Sequence, residues 1–95
     1  MLFVVFCLDK PDAAQARAAA LEAHKSYLDS KPIKVVLSGP LTSDDGEQLI
    51  GSFFMVDAPS RADVQRWQDA DPLYRAGVWG SIEVRAFAKR VDNRD

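Results

Sequence analysis

The chain has 95 residues and carries 12 Lys and Arg against 14 Asp and Glu, a formal net charge of −2. That length suits one compact domain with a thin core, and the balanced charge excludes the basic field of a dedicated nucleic-acid binder. With 47% hydrophobic and 27% charged residues, the composition is globular rather than disordered.

The opening run Leu2–Leu8 is β-branched and aromatic, and Asp9-Lys10-Pro11 closes it. It reads as a strand with both faces apolar. No positive segment precedes it, and it falls far short of the roughly 20 residues of a membrane span. A soluble, cytoplasmic chain with no membrane partner is therefore expected. Cys7, the single cysteine, makes no internal disulfide and no thiolate cluster for zinc, and reads as a small apolar group in a buried strand.

From Asp12 to about Ser30 the sequence is rich in Ala, Gln, Arg, Glu and Leu, without Gly or internal Pro. This predicts a helix with Pro11 or Asp12 in its first turn. Pro32 ends it, and Ile33–Leu41 reads as a second strand finishing in Ser38-Gly39-Pro40. Asp45-Gly46 is a favoured hairpin pair, so a third strand, about Glu47–Val56, runs antiparallel to the second. Ser60 with Asp63 resembles a capping box and starts a helix to about Ala70, stopped by Asp71-Pro72. Gly77 and Gly80 flank the start of a last strand, about Val78–Ala88, and Lys89–Asp95 forms a charged tail after a single domain over residues 1–88.

The order is βαββαβ, an α+β ferredoxin-like arrangement with a four-stranded antiparallel sheet. Two helices cover only one face of such a sheet. Yet the first strand offers Leu2, Val4, Phe6 and Leu8 on one side and Phe3, Val5 and Cys7 on the other. An apolar second face needs cover, which predicts a homodimer packed through the open sheet face.

Chemistry concentrates on two helical stripes. Ala14, Arg17, Leu21, His24 and Leu28 recur at spacings of three and four, so the only histidine lies on an inward face between two leucines. On the second helix Ser60, Val64, Trp67 and Asp71 repeat the pattern, ending on a carboxylate at the helix C-terminus, where the helix dipole disfavours it. In a split βαβ unit the helices lie side by side, which brings the late parts of both, and so His24 and Asp71, level. A carboxylate beside an imidazole fixes its tautomer, as a general base requires. Arg17 reads as a holder of an anionic oxygen, and Ser38, Gly39 and Pro40 as further lining of the same cleft.

His24-Lys25-Ser26-Tyr27-Leu28, Ser38-Gly39-Pro40-Leu41, Asp44-Asp45-Gly46 with Gly51, and Ala70-Asp71-Pro72-Leu73-Tyr74 with Ala76-Gly77 come in the order seen in YciI-like proteins. The chain resembles that family from its first strand to its last. The resemblance implies a dimeric α+β barrel and an active site built on the residues matching His24 and Asp71. It further implies lyase-like activities, including chloride removal from chlorinated hydroquinones. Leu73-Tyr74 departs from the family's Phe after Asp-Pro, which places Tyr74 among the substrate-binding candidates. The expected function is a small enzyme, with no cofactor and no metal, that moves a proton on a small-molecule substrate through a His24–Asp71 dyad. The alternative is a non-catalytic ligand-binding or structural dimer in which the pair is a buried polar clasp.

Overall fold

The computed structural model describes residues 1–94; Asp95, the last residue of the expected tail, lies outside the described residues. Strands β1 (Leu2–Asp9), β2 (Lys34–Thr42), β3 (Leu49–Asp57) and β4 (Trp79–Phe87) form one sheet of order β2-β3-β1-β4. All three pairings are antiparallel. Helices α1 (Ala14–Asp29), α2 (Arg61–Asp69) and the four-residue α3 (Pro72–Arg75) complete the βαββαβ order. This is the ferredoxin-like α+β architecture expected from the sequence. Among the described residues, no helix is long and apolar enough to cross a membrane.

The core follows from strand alternation. Phe3, Val5 and Cys7 of β1 face the helices, with Phe54 and Val56 beside them on β3 and Val84 on β4. Val64 and Trp67 of α2 and Leu73 of α3 close over this layer. Phe54 is its hub, meeting Trp67 edge-on at 5.0 Å and Trp79 at 6.1 Å. Such edge-to-face pairs add about 0.5–1.5 kcal/mol each beyond the area they bury.

The opposite face is apolar and open. Val4 and Phe6 of β1, Phe53 and Met55 of β3, and Leu37 of β2 share it by register. Phe6 and Leu37 are 43% and 46% exposed, a large apolar area to leave in water. At the β4 edge the same face turns polar, with Glu83 and Arg85 in an ion pair.

Local chemistry moves several expected boundaries. Helix α1 starts at Ala14, after Pro11 and Asp12, and Asp12 takes a left-handed φ of 62° that a helical first turn excludes. The inward stripe of α1 therefore begins at buried Ala13, while Ala14 is exposed. Asp45-Gly46 is not a two-residue turn. The Gly46 N–H donates to the Ser43 carbonyl, so Asp44 and Asp45 occupy the turn and Gly46 follows at φ 77°. A turn followed by a left-handed residue is the usual longer hairpin solution. Ser38-Gly39-Pro40 lies inside β2 rather than at its end.

Two irregularities shape the site's end of the sheet. The β2–β3 register slips between Leu41 and Thr42, and the β1–β4 register slips between Leu8 and Asp9. Gly51 sits beside the first. A Cβ there would lie 2.2 Å from the Cys7 carbonyl oxygen, so only glycine lets the two backbones approach this closely.

Candidate active site

Helix α1 carries Arg17 and His24 two turns apart on its buried face. His24 Nδ1 lies 2.8 and 3.0 Å from the two carboxylate oxygens of Asp71. Asp71 is 1% exposed and His24 8%. A carboxylate only accepts, so Nδ1 is the protonated nitrogen and donates to Asp71. Nε2 makes no hydrogen bond among the described residues, and in the neutral ring it is the nitrogen that carries the lone pair.

The fold places Asp71 in a way the stripe on α2 does not suggest. Helix α2 ends at Asp69, Asp71 turns extended at φ −68°, ψ 130°, and Pro72 opens the separate helix α3. Asp71 is thus an N-cap rather than a helix C-terminal residue. Its Oδ1 accepts the Leu73 N–H at 2.8 Å. Proline at N1 behind an Asp cap is a favoured helix start. The dipole penalty expected for a C-terminal carboxylate is absent, and the cap fixes the carboxylate that orients the imidazole.

A second buried pair stands on the same helix face. Arg17 Nε and Nη2 each donate at 2.8 Å to one oxygen of Asp9, the last residue of β1. Arg17 Nη2 also reaches the Gly51 carbonyl at 3.0 Å and Ser52 Oγ at 2.9 Å. The guanidinium therefore enters the site with its charge already matched. What it adds is a rigid set of donors.

The basic member of each pair, Arg17 and His24, borders one cavity of about 250 Å³ between α1 and the β2–β3 hairpin. Arg17, His24, Ser38, Gly39 and Pro40 line it together. Its apolar walls are Leu21, Leu28, Leu49 and Phe54, and the Phe54 ring lies 6.1 Å from the imidazole. Asp71 stands behind His24 rather than in the cavity wall. Tyr74 lies outside that wall, 41% exposed on α3. Past Arg17, Leu21 and Leu49 a wider cleft of about 760 Å³ continues along Asp9–Ala14 and Gln48–Ile50. Among the described residues, no group of three or more His, Cys, Asp and Glu side chains is gathered as a metal site.

Asp9 and Ser52 were not among the expected site residues. Asp9 reads in sequence as a strand-closing turn residue, and its partner is recognised only once α1 lies across the end of β1. Ser52 had a signal: it occupies an inward position on a strand whose other inward positions, Phe54 and Val56, are apolar.

Cys7 lies beneath both pairs. Burial, then the charges of Asp71 and Asp9, push its thiol up to about 12. Only a minute fraction is thiolate near neutral pH. Iodoacetamide at pH 8 should leave Cys7 unmodified in the folded chain and label it on unfolding in denaturant, with intact mass as the readout. Because the thiol ionises near its ordinary value of about 9 once unfolded, its contribution to stability is complete below that pH. It is lost as pH rises toward 12. Rapid labelling of the native chain would contradict this.

Protein YciI of Escherichia coli is 29% identical over 96 residues, spanning 94% of this chain and 98% of that protein. The 5-chloro-2-hydroxyhydroquinone dehydrochlorinase of Burkholderia phenoliruptrix, solved in complex with 2,5-dihydroxybenzoquinone, superposes with a TM-score of 0.84 at 29% identity. That likeness covers 93% of this chain and 94% of the dehydrochlorinase chain. A structure from Pseudomonas aeruginosa, with a TM-score of 0.55 and 9% identity over 95% of this chain and 93% of that one, shares the fold alone. The YCII-related domain matches residues 1–88, from β1 to the residue after β4, and the chain therefore belongs to that family.

Proposed function

We propose that this chain is a small lyase- or isomerase-type enzyme in which His24 moves a proton on a small hydroxylated molecule. The observation that carries the reading is the His24 ring itself. Asp71 holds Nδ1, the Leu73 N–H holds Asp71, and Nε2 has no partner among the described residues on a ring that lines a cavity. A neutral imidazole held in one tautomer next to a pocket is equipped to take a proton and return it. Asp71 then stabilises the imidazolium that forms. Phe54 and the leucines keep the cavity apolar, which strengthens each polar contact inside it.

The likeness to a dehydrochlorinase that acts on a chlorinated hydroxyhydroquinone supports a hydroxylated ring as the substrate class. Loss of HCl from such a ring takes two hydroxyl protons, one delivered to the ring carbon that bears the chlorine and one released with the expelled chloride, with no oxidant. Tautomerisation needs still less, a proton leaving oxygen and one arriving at carbon. Either reaction is within reach of one histidine. Incubating the chain with chlorinated and unchlorinated hydroxyhydroquinones, with chloride release and ring absorbance as readouts, tests the reading. Full turnover by both His24→Ala and Asp71→Asn would overturn it.

The working unit of this enzyme is a homodimer. Support comes from the open face of Val4, Phe6, Leu37, Phe53 and Met55, whose burial would contribute about 25 cal/mol per Å². Light scattering at micromolar concentration should give twice the chain mass, and Phe6→Glu should give the single-chain mass. A wild-type monomer would rule this assembly out.

A further inference from the structure

We infer that the Ser52 hydroxyl is a substrate-binding donor, polarised by Arg17 and aimed at an oxygen on the ligand edge opposite the one that meets His24. The inference rests on the proton-transfer reading above and adds to it a second polar pole. Ser52 is 4% exposed and lines the same cavity as His24. Its Oγ accepts from Arg17 Nη2 at 2.9 Å and donates to no protein group among the described residues. A hydroxyl has one hydrogen and two lone pairs. With the guanidinium occupying the acceptor side, the hydrogen is left to turn away from Arg17, toward the cavity. Asp9 and the Gly51 carbonyl lock the guanidinium in place, so the hydroxyl's acceptor side is engaged by Arg17 before any ligand arrives and its hydrogen remains available to one.

Position makes the hydroxyl selective. Ser52 and Phe54 are alternate residues of β3, so their side chains stand roughly 7 Å apart on one face. Phe54 lies beside His24 at one end of the cavity, and Ser52 with Arg17 marks the other. Leu21, Leu49 and Pro40 also line the cavity, supplying an apolar stretch to the wall. A small planar ring fits this pattern if oxygens on its opposite edges meet the two poles. As the His24 end loses a proton, negative charge spreads through the ring to the far oxygen. A donor already polarised by a buried guanidinium stabilises it there.

Calorimetric titration with 2,5-dihydroxybenzoquinone, which carries oxygens on opposite edges, tests the proposal on wild type, Ser52→Ala and Ser52→Thr. Loss of a charge-assisted hydrogen bond should weaken binding by Ser52→Ala about tenfold or more. The melting temperature should hold, because Arg17 keeps Asp9 and Gly51. Ser52→Thr retains the hydroxyl and should bind within about threefold of wild type, roughly half the free-energy loss of a tenfold change. Wild-type binding with Ser52→Ala undiminished would overturn the role of Ser52 and leave the His24 reading standing. Equal weakening of the Ala and Thr variants would also overturn it, since packing rather than the hydroxyl would then decide. Failure of the wild-type chain to bind the probe would overturn both.

Discussion

His24→Ala should lose turnover by a factor on the order of 10²–10⁴, the share that a positioned proton-transfer group commonly supplies. Asp71→Asn should lose a comparable factor while keeping the fold. The asparagine carbonyl still accepts the Leu73 N–H, so the cap of α3 survives. What disappears is the negative charge beside Nδ1, and with it the preference for the tautomer that leaves Nε2 free to accept a proton. The two variants separate catalysis from scaffolding. If His24 and Asp71 were only a clasp between α1 and α3, His24→Ala would chiefly lower the melting temperature. Asp71→Asn would then have activity in proportion to its folded fraction. A folded, inactive Asp71→Asn chain, checked by circular dichroism and single-turnover kinetics, is the expected outcome. A folded, fully active one would remove the dyad from the mechanism.

Much of this site was legible from helix periodicity. Spacings of three and four put Arg17 and His24 on one face of α1, and the βαββαβ order brought Asp71 level with His24. The reason Asp71 sits there was not legible from the stripe on α2, because that stripe continues through Ala70 as if the helix did. The competing signal was the Asp-Pro pair itself. An aspartate before proline is as good an N-cap and N1 as it is a helix stop, and α3 is too short to show any periodicity of its own. Ser38, Gly39 and Pro40 reached the cavity through the hairpin register, although they lie within β2. Asp9 and Ser52 required the tertiary structure. Their roles come from a guanidinium crossing from α1 to the ends of two strands, and no local pattern encodes that crossing. The glycine at position 51 permits it, since a side chain there would push β3 away from Cys7.

The Arg17–Asp9 pair should prove sensitive to substitution in stability. Both side chains are less than 10% exposed, at 7% and 9%. Asp9→Ala leaves the guanidinium buried with only the Gly51 carbonyl and Ser52 Oγ as acceptors. Breaking a buried pair on one side typically costs about 3–5 kcal/mol. For a small domain whose total stability is about 5–15 kcal/mol, that is a third or more of what holds it folded. Urea denaturation should show the loss as a lower midpoint with an unchanged slope. Removing both charges is a different experiment, because no buried charge is then stranded. An Asp9→Leu, Arg17→Met double variant should recover most of the stability lost by Asp9→Ala alone, as apolar replacements of buried pairs often do. It should not recover ligand binding, because Ser52 would lose the donor that turns its hydroxyl toward the cavity. A double variant that restored both would show that Arg17 serves only the fold. A single variant costing less than about 1 kcal/mol would show instead that the pair behaves as an exposed one.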